Sequence, residues 1–115
     1  MSLILVPIVM AGCAGATIGP GAGVAQGIVK GSAEEVKQRT QTVFQQMGIQ
    51  ATGNSMKNAG NELQLMGKLG DADVNVTIYN APKSTSNVEV QASKNLIEGN
   101  KNLAGEILSR IVRGS

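Results

Sequence analysis

Glu62-Leu63-Gln64-Leu65-Met66-Gly67-Lys68-Leu69 and Asp73-Val74-Asn75-Val76-Thr77-Ile78-Tyr79, separated by Gly70-Asp71-Ala72, are the stretch that decides the fold. In each half, apolar and polar residues alternate, the period of a strand with one packed face and one wet face. Leu63, Leu65 and Leu69 share a side of the first half, and Val74, Val76 and Ile78 share a side of the second. A two-residue Gly70-Asp71 turn suits a primed hairpin. It pairs Leu69 with Ala72, Gly67 with Val74, Leu65 with Val76 and Leu63 with Ile78. Every apolar residue then meets an apolar residue or glycine on the same face, and Lys68 meets Asp73 on the wet one. A loop of odd length without a bulge would break this match, because a one-residue slip turns a strand over.

The pattern continues on both sides of this hairpin. Residues 87–92 form a further strand burying Val88, Val90 and Ala92. Residues 49–56 form another, with Ile49 and Ala51 on one face. Asn58-Ala59-Gly60-Asn61 and Ala81-Pro82-Lys83-Ser84-Thr85 supply the turns between them. Ahead of the strands, residues 33–47 carry Val36, Thr40, Val43, Phe44 and Met47 at helical spacing. Ser32 and Glu35 form a capping box, and Gly48 is the left-handed stop. Lys37, Gln38, Arg39, Gln41 and Gln45 lie off the apolar stripe and are expected in solvent. A last helix over 101–112 presents Leu103, Ala104, Ile107, Leu108 and Ile111, with Lys101, Glu106, Arg110 and Arg113 outward. The expected fold is therefore α+β: helix, four-stranded antiparallel meander, helix. One apolar sheet face needs cover and two amphipathic helices can provide it, so the reading is a two-layer sandwich with both helices on one sheet face.

Composition narrows the chemistry. The chain of 115 residues has a net charge of +2, no histidine, one cysteine and two aromatics, Phe44 and Tyr79. Scattered basic residues without an aromatic platform argue against nucleic acid as a partner. Absence of histidine removes every Ser-His triad and the ordinary zinc site. No residue is read as catalytic, metal-binding or cofactor-binding, no cofactor is expected, and the chain is not read as an enzyme. Asp71 and Asp73 share a turn, but a calcium site needs six or more oxygens and the hairpin accounts for both. Gly19-Pro20-Gly21-Ala22-Gly23 lacks the Lys-Ser/Thr ending of a phosphate loop.

The first 29 residues contain no charged side chain. Leu5-Val6-Pro7-Ile8-Val9-Met10-Ala11-Gly12-Cys13 is an apolar run closing on Ala-Gly-Cys, the form of a lipoprotein precursor cut before a cysteine that then carries acyl chains. A buried thiol in an apolar segment is the alternative, since free cysteine behaves as a small hydrophobe. Beyond it, glycine recurs at Gly15, Gly19, Gly23, Gly27 and Gly31. A flexible tether between anchor and domain is one reading. A helical stripe for close packing of helices in a membrane bundle or pore is the other. The expected organisation is a signal peptide over 1–12, lipidated Cys13 with a Gly/Ala-rich tether over 13–31, and the α+β domain over 32–115.

With these elements placed, the chain resembles short bacterial lipoproteins of an uncharacterised family. The resemblance rests on Met10-Ala11-Gly12-Cys13, the glycine-rich stretch, Met47-Gly48-Ile49, the alternating strands, and Gly99-Asn100-Lys101-Asn102-Leu103 with Ile107-Leu108. It implies an envelope lipoprotein, with Cys13 the one functional position carried over. Its expected partners are the membrane, through an N-terminal lipid such as palmitate, and an envelope protein. Its expected location is the bacterial cell envelope, with the domain facing the periplasm.

Overall fold

The computed structural model describes residues 17–18, 23–94 and 98–114. The chain is α+β, with an antiparallel sheet and two helices. In chain order the elements are β1 (Thr17–Ile18), β2 (Val24–Lys30), α1 (Ala33–Met47), β3 (Gln50–Lys57), β4 (Glu62–Leu69), β5 (Ala72–Ala81), β6 (Thr85–Lys94), β7 (Glu98–Gly99) and α2 (Lys101–Arg113). A short 3₁₀ turn, Asn58–Gly60, joins β3 to β4.

The central hairpin has the register its side chains demand. Leu69 pairs with Ala72, Gly67 with Val74, Leu65 with Val76 and Leu63 with Ile78. Gly70, at φ +62°, gives the turn the positive φ that a side chain would oppose. On the wet face Lys68 Nζ lies 3.3 Å from Asp73 Oδ1. The four expected strands are present as β3 to β6 and lie side by side in the order β6-β5-β4-β3.

The sheet does not stop at those four strands. β2 adds to the free edge of β6, pairing Val24 with Gln91 through to Lys30 with Thr85. β1 continues from β2, and β7 pairs with the end of β6. The expected tether over 13–31 is therefore corrected for 24–30, and the domain begins before residue 32. The helical stripe is corrected as well. Gly27 lies within an extended strand, while Gly23 and Gly31 flank it at φ +81° and +118°. Gly23 also accepts the Ala92 amide at 2.8 Å through its carbonyl. The physical cause is the unsatisfied edge of β6, whose amides and carbonyls need partners once α2 buries them. Gly15 and Gly19 lie outside the described residues.

Successive antiparallel steps make β2 and β3 parallel on opposite sides of the sheet. α1 connects them by crossing one face, packing mainly on β4 and β5, and α2 lies beside it on β2 and β6. Both helices thus cover the same face. Ala25, Val29, Leu63, Leu65, Val74, Val76, Ile78, Val88, Val90 and Ala92 bury against Val36, Val43, Phe44, Ala104, Ile107, Leu108 and Ile111. Gly67 makes room for this contact. A methyl group there would sit 2.7 Å from Ile49 Cγ2 and 3.1 Å from Phe44 Cε2. Dense packing leaves no slack for such an insertion.

The capping box is present in both directions. The Glu35 amide donates to Ser32 Oγ at 3.3 Å, and the Ser32 amide donates to Glu35 Oε1 at 2.9 Å. Gly48 closes the helix at φ +74°. Two expectations on this side of the fold are corrected. Ala51, read as sharing a face with Ile49, is exposed while Ile49 is buried, because β3 is an edge strand, bulged between Ala51 and Gly53, that α1 barely touches. Arg39 is half-buried: its guanidinium lies against Gly31, and its Cδ would be 3.3 Å from a methyl at Gly114. The approach of the α2 carboxyl end over α1 covers it, which periodicity within α1 cannot reveal.

One rim of the sheet is tied together by Asn80. Its Oδ1 accepts the Ala33 amide at 2.8 Å, and its Nδ2 donates to Asn61 Oδ1 at 3.2 Å. Buried Ser86 donates through Oγ to the Gly31 carbonyl at 2.8 Å. These bonds hold β2, α1 and the two hairpin loops in fixed relation. Of these groups Ser86 is fully buried, and a satisfied buried hydroxyl specifies an arrangement as much as it stabilises it.

Candidate functional site: the uncovered face of the sheet

Among the described residues the helices cover one face of the sheet, and alternate residues of every strand point the other way. Cross-strand pairing arranges them into rows. Gln26, Glu89, Thr77, Gln64 and Ser55 form one continuous row from β2 to β3. Ile28, Asn87, Tyr79, Glu62 and Lys57 form the row beside it. Four interstrand steps of about 4.8 Å make each row roughly 19 Å long.

Several of these side chains are held in place by each other. Gln26 Nε2 donates to Glu89 Oε2 at 3.1 Å. Ser55 Oγ donates to Gln64 Oε1 at 3.2 Å, and Gln64 Nε2 donates to Asn75 Oδ1 at 2.9 Å. Glu62 Oε1 accepts from Asn58 Nδ2 at 3.1 Å.

At the β2 end of the rows the surface sinks into an open depression of about 610 Å³, lined by Gln26, Gly27, Ile28, Tyr79, Asn87, Val88 and Glu89. Ile28 is 56 % exposed and Tyr79 39 %, so two large apolar side chains stand in solvent within one polar hollow. Partial burial, helped by the charges of Glu62 and then Glu89, raises the Tyr79 phenol above its ordinary value of 10.0. It stays a neutral donor across the physiological range. The hollow carries one carboxylate, planar amides, one aromatic ring and one exposed branched aliphatic, Ile28, with no cation in its lining.

The sequence pattern marks this face, through Glu62, Gln64, Thr77, Tyr79 and Glu89, as ordinary solvated surface or, with both helices on the other side, as the place for a partner to dock, and it names no ligand. Ile28 and Gln26 could not have been found, because they belong to the strand read as tether. Cys13, the expected lipidation position, lies outside the described residues. Asp71 and Asp73 each face a lysine: Asp73 pairs with Lys68, and Asp71 Oδ2 lies 3.7 Å from Lys94 Nζ. Among the described residues, no group of three or more His, Cys, Asp or Glu could hold a metal ion. No helix among them is long and apolar enough to cross a membrane. No known protein-family model and no curated protein matches this chain.

Proposed function

We propose that this protein is a non-enzymatic cell-envelope lipoprotein, anchored through acyl groups on Cys13 and presenting its α+β domain in the periplasm for a structural or interaction role. The observation that carries the reading is the apolar run ending Ala11-Gly12-Cys13, set in a 29-residue segment without a charged side chain. A domain whose helices occupy one sheet face leaves the opposite face available to a partner, which supports the interaction role. Stable anchoring takes two signals, so two or more acyl chains are expected on the cysteine.

Mass spectrometry of protein extracted from native membranes tests the anchor. The expected mature chain begins at Cys13 and carries the mass of its acyl groups, and Cys13→Ala releases the protein from the membrane fraction. An intact Met1 with a free thiol, in membrane-derived protein, overturns the reading.

A further inference from the structure

We propose that the domain docks directly on an anionic lipid bilayer, through the rim of the uncovered face that carries Lys30, Lys57 and Lys83, with Ile28 and Tyr79 at headgroup level. The reach of the anchor rests on the lipoprotein reading; the rim itself is read from the folded domain.

Charge sets this rim apart. Among the described residues the sheet and its hairpins carry five lysines, and cross-strand pairing sorts them to two ends. At one end Lys68 Nζ lies 3.3 Å from Asp73 Oδ1 and Lys94 Nζ 3.7 Å from Asp71 Oδ2, so both charges are answered. At the other end Lys30, Lys57 and Lys83 are exposed and make no ion pair among the described residues. The carboxylates of that end are engaged within the fold. Glu34 Oε2 lies 3.6 Å from Lys37 Nζ, Glu35 belongs to the capping box, and Glu62 accepts from Asn58. Lys83 even stands in the left-handed region at φ +63°, where glycine would be unstrained. Unpaired lysines along one rim suit anionic headgroups, each adding about fivefold to affinity at the surface.

Exposed apolar groups stand at the same end. Ile28, 56 % exposed, and Tyr79, 39 % exposed, share an outer row with Asn87 between them. That row is the next one in from Lys30, Thr85 and Ala81 at the rim. A branched aliphatic beside a ring with a polar tip is suited to the layer where headgroups meet acyl chains. Glu89 lies one row further from the rim and is held by Gln26.

The length of chain ahead of the sheet brings the bilayer to this end. β1 begins at Thr17 and runs antiparallel to β2, with its amino end toward Lys30. Cys13 precedes Thr17 by four residues, a reach of roughly 14 Å at full extension. The headgroup layer takes up about 5–7 Å of that reach. An acylated Cys13 therefore cannot hold the domain clear of the membrane, and the rim nearest its entry is the one with unpaired lysines.

Tyr79 is the single tyrosine of a chain without tryptophan, so its emission reports the site directly. The full chain carrying Cys13→Ala is mixed with vesicles of phosphatidylcholine, or of phosphatidylcholine and phosphatidylglycerol. Co-sedimentation measures binding, and a lipid with a nitroxide on its headgroup measures the approach of Tyr79 by quenching. Tighter binding to the anionic vesicles and quenched Tyr79 are expected. The combined variant Lys30→Gln, Lys57→Gln, Lys83→Gln should bind anionic vesicles at least about tenfold more weakly with its thermal midpoint retained, whereas Lys68→Gln should change nothing. Unquenched Tyr79 on vesicle-bound chain overturns the proposal, even where the apolar residues before β1 hold the chain on the membrane. So does equal binding to both vesicle types, undiminished binding by the triple variant, or an equal loss with Lys68→Gln. The assay contains no acyl group and the anchor is read from the mass at Cys13, so docking and anchoring fail separately.

Discussion

Val76 and Thr77 are neighbours on one strand, yet they live in different solvents. Val76 has no exposure, whereas Thr77 stands half-buried in a row of amides and hydroxyls. The same alternation runs through β4, β6 and β2, so the sheet is a thin partition between a dry aliphatic layer and a wet polar one. The dry face can change only at the cost of stability, because two helices are packed against it. The wet face is free of that constraint, and its composition is open to selection for binding. β2 shows the limit of reading polarity as facing: outward Ile28 is apolar and 56 % exposed, while inward Ala25 is small and wholly buried.

Paired substitutions break or sharpen this contrast. The largest effect belongs to Val76→Asp, which buries an unpaired carboxylate beneath the helix layer and should cost several kcal/mol, enough to unfold a domain this small. Thr77→Lys should stay within about 0.5 kcal/mol. Chemical denaturation of both variants checks the pair, and equal tolerance would refute the facing of β5. A smaller effect is expected on β2. Val29→Asp should destabilise by roughly 2–4 kcal/mol, while Ile28→Ser should be nearly neutral although it removes the larger apolar side chain. If Val29→Asp is tolerated, β2 is not part of the folded sheet in solution.

The smallest effect concerns the α1 cap, which lies outside both faces. Hydrogen bonds to Ser32, backbone first and hydroxyl second, hold the Glu35 carboxyl below its ordinary value of 4.5, with Arg39 adding a lesser pull. A depressed carboxylate supports the fold fully above its unfolded value and loses that support as pH falls through the folded one. Ser32→Ala removes the hydroxyl that accepts the Glu35 amide, and loss of such a cap should cost about 1 kcal/mol near pH 7. The gap between wild type and variant should narrow as pH falls below 4.5, measured by denaturation across pH 3–7. A gap that widens in acid would contradict the assignment of the cap. Glu106 is held down in the same direction, chiefly by its hydrogen bond to Arg110.

The central hairpin was legible because its signals are local and redundant. Two alternating runs, a glycine at the turn and one opposite-charge pair agree on a single register, so parity alone excludes the neighbours of that register. The capping box and the Gly48 stop are equally local, and both helices were legible from their stripes. β2 was not legible. Its inward residues are Ala25, Gly27 and Val29, its outward ones include Ile28, and the contrast between faces that marks a strand is almost absent. Its glycines at 23, 27 and 31 match a four-residue spacing that helices also produce. The candidate site was half legible: Tyr79, Glu62, Gln64 and Glu89 stood on the outer face of known strands, while Gln26 and Ile28 had no assigned place.

The sequence by itself determined the two helices, the β4–β5 register, the strands beside it and the polarity of each face. These follow from interactions between residues close along the chain, where pattern and turn chemistry suffice. Tertiary structure alone decided that 24–30 is a strand, that Arg39 is covered and that Ala51 is not. β2 meets β6 across more than fifty residues of chain. Its reason to be extended is the open edge of a strand that does not exist until the meander has formed and α2 has closed over it.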